Sequence, residues 1–342
     1  MTTAGIIANP ASGKDIRRLV AHGSSFDNNE KINIVRRALI GLDATGVDRV
    51  VFLPDPYAIV ERAAGPLQLR LQLSPLVMPI LGEAGDSLEA AQRMIDLEAG
   101  VIITLGGDGT NRVVAKAGGE VPLVAISTGT NNVFPTMVEG TLAGLAAGLA
   151  ATGIARNRPG GPRVVRRMPR LDVVIDGTHR DLALIDAVTT RQSWIGSRAL
   201  WDPDQIREVV LSRLDPAAIG LASLGGLLFP DACGGCSGAH IVIGDHESGR
   251  AVLAPLAPGL MRQVPIQAAR LIEHGDEVTL GGGPCLVALD GERELEVLDP
   301  AASITVSFNP RGPRVVDIPA AIQAAANQGF FIDSRQAASK RT

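Results

Sequence analysis

A chain of 342 residues exceeds what one hydrophobic core ordinarily serves, so two domains are the expectation. With 46% apolar and 20% charged residues it has the balance of a globular protein, which excludes disordered and collagen-like classes. A net charge of -4, one Tyr and two Trp supply neither the electrostatics nor the stacking surface for nucleic-acid binding.

In chain order, the apolar runs Gly5 to Ala8, Arg49 to Leu53, Val101 to Leu105 and Val121 to Ile126 predict buried strands. The first run breaks at Asn9-Pro10 and is followed by Lys14 and Asp15, unlike a secretory signal. Ile32, Val35, Leu39 and Leu42 recur at helical spacing behind an Asn28 or Asn29 cap. Leu67 to Leu73 alternates strictly and predicts a strand at a sheet edge. Strands alternating with helices over residues 1–155 predict an α/β domain with a mostly parallel sheet. Gly140 to Ala155, the longest uncharged stretch, falls short of the roughly 20 apolar residues of a membrane span.

Arg156 to Pro169, rich in Gly, Pro and Arg, is the expected linker. Residues 165–317 then read as a mostly-β domain, with Asp176-Gly177 and Asp290-Gly291 as hairpin turns and one helical interruption from Asp202 to Leu214. A C-terminal helix and tail, 318–342, begins near Pro319 with an Ala-rich run to Asn327. Three cysteines, an odd number, suit a reducing compartment, and the cytoplasm is the expected location. Cys233 and Cys236, followed by His240 and His246, lack the spacing of a zinc finger, so no structural metal site is expected there.

Chemistry concentrates in turns that follow strands. Val101 to Leu105 empties into Gly106-Gly107-Asp108-Gly109-Thr110-Asn111 before a helix supported by Val113, Val114 and Ala117. Such a turn exposes backbone N–H groups that can cradle phosphate, and its glycines allow close approach and positive φ. Asp108 is out of place in a plain anion hole; in a kinase it could face Mg²⁺ or take a hydroxyl proton. A tight βα turn would also use glycine. The chain matches neither a Walker A loop, having Asp15 where Ser or Thr belongs, nor a dinucleotide fingerprint, having Arg112 where glycine belongs. Ser127-Thr128-Gly129-Thr130-Asn131-Asn132 forms a second polar turn, readable as a ligand turn or a helix cap; Asn9 to Lys14, including Ser12, forms a third.

Asn-Pro-x-Ser-Gly, Gly-Gly-Asp-Gly-Thr and Gly-Thr-x-Asn together resemble the superfamily of NAD kinases, diacylglycerol kinases and sphingosine kinases. Within it, Gly5 to Val35 and Leu105 to Leu149 look like the ATP-NAD kinase-like proteins of the acetoin-catabolism X type. The likeness extends to Ala251-Val252-Leu253-Ala254-Pro255 and to Leu289-Asp290-Gly291-Glu292. It implies a Rossmann-like N-terminal domain, a C-terminal β-sandwich, a cleft between them, and a homo-oligomer. It further implies a kinase that uses ATP and Mg²⁺ to phosphorylate a hydroxyl of a small nucleotide, with NAD a candidate acceptor.

Carried over by position, Gly106, Gly107, Gly109, Thr110, Asn9, Ser12, Thr128, Gly129, Thr130 and Asn131 would surround the nucleotide phosphates, and Asp108 would be the catalytic carboxylate. Asp186, Asp290 and Glu292 would serve as acceptor or second acids, although Asp-Gly is also the commonest two-residue turn. Two departures bear on the acceptor. Ile185-Asp186 stands where NAD kinases carry Asn with an acid, and Gly220-Leu221-Ala222-Ser223-Leu224-Gly225-Gly226 replaces their hydroxyl-rich run with its tyrosine. These departures leave room for a lipid or small-molecule kinase, or for a non-catalytic nucleotide-binding accessory protein of acetoin catabolism.

Overall fold

A computed structural model describes residues 1–13, 26–191, 203–234, 237–245 and 249–332, the side chains of residues 292–294 excepted. Lys14, Cys236 and His246, singled out in the sequence, lie outside the described residues.

The first half alternates strand and helix: β1 (Thr3–Ala8), α1 (Asn28–Ala44), β2 (Arg49–Phe52), α2 (Ile59–Ala64), β3 (Gln72–Pro75), α3 (Ala84–Asp96), β4 (Val101–Gly106), α4 (Asp108–Lys116), β5 (Leu123–Ser127) and α5 (Gly140–Ala151). The apolar runs become strands because helices cover both faces, so no residue of β1, β4 or β5 is left facing water. β3, β2, β1, β4 and β5 pair in that order, all parallel.

Two details differ from the sequence reading. The helix of Ile32 and Val35 is capped by Asp27, whose carboxylate accepts from Glu30 N, and not by an asparagine. Of Leu67 to Leu73, only Gln72 and Leu73 are strand. β2 begins at Arg49, so earlier residues have no strand to pair with; Asp43 instead accepts from Arg70 N and Leu71 N at 2.8 and 3.0 Å. β3 does form the sheet edge.

α1 and α5 pack with their backbones almost touching. A Cβ on Gly144 would stand 2.1 Å from the Ala38 carbonyl oxygen, and one on Gly41 2.5 Å from Leu145 N. The obstacle is helix backbone, which cannot swing aside as a side chain can. Gly144→Ala is therefore expected to cost about 3 kcal/mol by overpacking, read as a lower thermal midpoint with an unchanged denaturant slope.

The chain then enters β6 (Val165–Arg167), shortening the expected linker, and continues through β7 (Arg170–Ile175), β8 (His179–Ala183), β9 (Asp186–Thr190), β10 (Ile206–Leu211), α6 (Ala222–Leu228), β11 (Gly238–Ile243), β12 (Ala251–Ala257), β13 (Leu260–Ile272), β14 (Glu277–Leu280), β15 (Cys285–Leu289), β16 (Glu292–Val297), β17 (Ile304–Asn309), β18 (Arg314–Val316) and α7 (Ile318–Asn327). β12-β13-β11-β10-β9-β15-β16 and β14-β17-β7-β8 form two antiparallel sheets. Their inner faces meet through Leu171, Val173, Val210, Val287, Val306 and Phe308, the core of a sandwich.

The helix expected over Asp202 to Leu214 is instead β10 after one 3-10 turn. Ile206, Val209, Val210 and Leu211 are buried because β10 runs mid-sheet with both faces covered, a setting that erases the alternation marking a strand. Both Asp-Gly turns close hairpins, with φ of 50° and 66° at Asp176-Gly177 and 53° and 75° at Asp290-Gly291.

At its end the chain returns to the first sheet. β18 runs parallel to β5 and antiparallel to β6, and α7 begins at an Asp317 cap with Pro319 in its first turn. Leu184, Ile185, Ala218 and Ala222 from the β half join Ile7, Ile102 and Leu123 in one apolar cluster, so the halves share a core. Among the described residues no helix is long and apolar enough to cross a membrane.

Candidate functional site

Three turns emerge side by side at the carboxyl ends of β1, β4 and β5, where parallel sheets collect ligands. Polar side chains knit them together. Asn9 Nδ2 donates to Thr110 Oγ1 (2.9 Å) and Thr128 Oγ1 to Ser12 Oγ (2.9 Å), so β1's turn bridges the other two. Thr104 Oγ1 donates to Asn111 Oδ1 (2.7 Å), and Asn111 Nδ2 returns to Gly107 O (2.9 Å), bracing the start of α4. Ser127 Oγ donates to Gly129 O (2.7 Å) and accepts from Asn132 Nδ2 (2.8 Å), which shapes the β5 turn around Gly129 and Thr130.

Of the two reasons expected for the glycines, close approach and positive φ, only the first operates at Gly106 and Gly107. Gly107, the α4 cap, has φ of -94°, in the ordinary range. A Cβ on Gly106 would stand 2.5 Å from the Thr110 side chain, and one on Gly107 2.9 Å from Asn132 Oδ1. These two glycines admit the neighbouring turn rather than a left-handed backbone. No side chain caps α4, so the amides of its first turn, which includes Gly109, have no intrahelical acceptor.

Asp108 opens α4 and projects toward the β5 turn, where Phe134 N donates to its Oδ1 (2.7 Å) and Val133 N to both oxygens (3.1 Å). It also lines a pocket of about 520 Å³, open mouth included, between the halves of the molecule. From the first half come Asn131 and Val133; from the second, Asp186 at the start of β9 and Asp290-Gly291 in the β15–β16 turn. Ile219, Gly220, Leu221 and Ala222 form an apolar wall. Asn131 Oδ1 is buried with no hydrogen-bond partner among the described residues.

Asp290 is buried, and its carboxylate accepts from Ile185 N (2.7 Å) and Leu184 N (2.9 Å). Gly291 N donates to Asp186 Oδ1 (3.2 Å), tying the hairpin turn to β9. Burial first, then the Asp186 charge, push the Asp290 carboxyl up to about 8, against the Leu184 amide and the Arg112 guanidinium that favour its charge. The folded protein thus keeps a proton that the unfolded chain gives up near pH 4. Stability from this group is complete below that value, declines as pH rises to about 8, and is level beyond. Asp290→Asn cannot ionise and should lose less thermal stability than the parent between pH 5 and 8; parallel curves would contradict it. The Glu292 side chain lies outside the described residues.

Three cations that the sequence reading passed over organise the site. Lys31, fully buried, donates from Nζ to the carbonyls of Asn9 (3.0 Å), Pro10 (3.1 Å) and Ser12 (2.8 Å) and to Asn28 Oδ1 (3.1 Å). A signal existed: 31, 35, 38 and 42 share the buried stripe of α1, where a lysine needs internal partners. Arg112, on α4, lies 3.3 Å from Asp181 and 3.8 Å from Asp290, joining the halves. Arg213 donates to Val133 O (3.0 Å) beside the Phe134 ring, 5.7 Å from its centroid. Burial draws the Arg213 pKa down while Asp108, Asp215 and Asp290 favour its charge. Nothing in the local sequence marks Arg112 or Arg213, because both act across the domain boundary.

Among the described residues Cys233 forms no disulfide, and His240 Nε2 lies 2.7 Å from Glu208 Oε2.

Comparison with known proteins accords with this architecture. Residues 5–153 match the family described as the ATP-NAD kinase N-terminal domain. Residues 169–311 match the acetoin catabolism protein X C-terminal domain. Over 333 residues the chain is 40% identical to acetoin catabolism protein X of Cupriavidus necator, covering 94% of this chain and 91% of the relative. A parallel-sheet domain of the ATP-NAD kinase type, an antiparallel sandwich and near full-length identity together place this chain in the acetoin catabolism protein X family.

Proposed function

We propose that the protein transfers the terminal phosphoryl group of ATP to a hydroxyl of a nucleotide-like acceptor held in the pocket between its halves. One observation carries this reading: Asp108, in the first turn of a helix with no side-chain cap, lines the same pocket as Asp186, Asp290 and Asn131, whose buried Oδ1 has no partner among the described residues.

The α4 N-terminus supplies backbone donors and a positive dipole end for phosphate oxygens. Asn131 accepts from a hydroxyl or amino group of the bound molecule. Asp108 accepts the acceptor's hydroxyl proton as its oxygen attacks, held in place by the Val133 and Phe134 amides. Among the described residues no three His, Cys, Asp or Glu side chains are grouped to hold a metal. Mg²⁺ carried on the nucleotide's own phosphates would face the Asp108 carboxylate. The metal would offset charge on the transferred group.

The apolar wall of Ile219, Leu221 and Ala222 favours a second reading, a less polar alcohol as acceptor, since the hydroxyl-rich run of NAD kinases is replaced there. The relative's name places that protein in acetoin catabolism, and we propose the same metabolic setting here. An ATP-consumption screen against NAD, NADH, nucleosides, sugars, small alcohols and diacylglycerol separates these acceptors. ATP binding with no consumption against any of them would instead indicate a nucleotide-binding accessory protein and overturn the kinase reading.

A further inference from the structure

The chain crosses between its halves twice, outward through residues 165–170 and back through 309–316, and the two passes are bound together. Met168 N donates to Pro313 O (2.9 Å), Arg167 Nη1 to Gly312 O (3.2 Å), and a Cβ on Gly312 would stand 2.3 Å from the Met168 carbonyl oxygen. Beneath this crossing, at the far end of α4 from Asp108, lies a second cavity of about 680 Å³, mouth included. Its base is apolar, built from Ile95, Ile102 and Leu123, and its rim carries Arg167, Arg170, Arg311 and Arg314 around the single carboxylate of Glu120.

Structural pairing accounts for only part of this positive charge. Glu120 pairs with Arg167 and lies 3.6 Å from Arg314, whose Nη1 also donates to the Glu120 carbonyl (2.9 Å). Asp172 lies 2.7 Å from Arg170 Nε. Arg311 has no ion-pair partner among the described residues, although Asn309 Oδ1 fixes its backbone by accepting from Arg311 N (2.8 Å). Four guanidinium groups against two carboxylates leave two positive charges over an apolar floor, in a protein whose net charge is -4. Guanidinium forks match planar and tetrahedral oxyanions alike.

We propose that this cavity binds a small organic dianion, a phosphate monoester or a dicarboxylate, with its acidic oxygens on Arg170 and Arg311 and its carbon body against Ile95 and Leu123. The site is independent of the phosphotransferase reading, since α4 stands between it and Asp108. Because the arginines are partly exposed, binding is modest and weakens with salt.

Isothermal titration of the full chain at fixed ionic strength, with phenyl phosphate and with succinate, tests this and distinguishes the two kinds of dianion. Saturable binding of at least one probe below about 1 mM is expected. It should weaken at least tenfold in the R170A/R311A double variant. R170K/R311K, which keeps the charges but loses the forks, should bind several-fold more weakly than the parent. No binding of either probe overturns the proposal; so does binding that survives R170A/R311A, which would put the anion elsewhere. If the double variant fails to fold, R311A alone decides, with an undiminished affinity counting against the site.

Discussion

Asp108→Asn is expected to abolish turnover while leaving the fold and ATP affinity unchanged. The substitution separates two duties of one side chain. Oδ1 takes the Phe134 amide at 2.7 Å and the Val133 amide at 3.1 Å, and an asparagine oxygen can keep both. What it cannot do is accept a proton in the transition state. Loss of a general base costs typically 10²- to 10⁴-fold, so kcat should fall by about 10³ with the thermal midpoint and ATP Kd held. A variant that turns over within about threefold of the parent would remove Asp108 from the chemistry. Loss of ATP binding together with activity would mean that Asp108 holds the nucleotide and takes no proton.

Lys31→Met, a change outside the pocket, is expected to lower both stability and ATP affinity. Methionine fills the space of the lysine stem but donates nothing, so the carbonyls of Asn9, Pro10 and Ser12 lose a shared donor together. Removal of the buried ammonium relieves its own desolvation, which offsets part of the loss. Asn9 O keeps Ser12 Oγ at 2.8 Å, but the Pro10 and Ser12 carbonyls lose this donor and outweigh that relief, because each part-buried one costs about 1–3 kcal/mol and Met supplies no substitute. A net cost of about 3 kcal/mol follows, with a thermal midpoint roughly 5 °C lower. The same loop carries Asn9 to Thr110 and meets Thr128 through Ser12, so ATP affinity should fall about tenfold with the anchor gone. A midpoint within about 1 °C of the parent and an unchanged ATP Kd would show that Lys31 is incidental to the loop.

Both predictions rest on residues that differ sharply in how visible they were beforehand. Asp108 stands out in any reading, because a carboxylate between glycines at a strand-to-helix turn conflicts with a simple anion hole. Lys31 could be found only by noticing that it shares a helical stripe with Val35, Ala38 and Leu42. Arg112 and Arg213 leave no local trace; their partners lie 69 and 80 residues away in the chain. The glycines show the reverse case. Their presence is plain, but the reason for Gly106 and Gly107 is the nearness of Thr110 and Asn132 and not a special backbone angle.

Local chemistry was sufficient for the strands β1, β2, β4 and β5, the α1 periodicity, both Asp-Gly hairpins and the terminal helix. In each, the hydrophobic period or the turn residues carry the information within a few positions. It misread β10 as helix, since a strand covered on both faces loses its alternation, and it overextended β3, since pairing depends on where the neighbouring strand begins. Tertiary structure alone decided that the chain's end returns to pair β18 with β5, and that Asp108, Asp186 and Asp290 line one pocket. It alone set four arginines around a second cavity. The physical reason is the same throughout: contacts between residues distant in sequence are selected by the shape and charge of the assembled core, which no short window of residues contains.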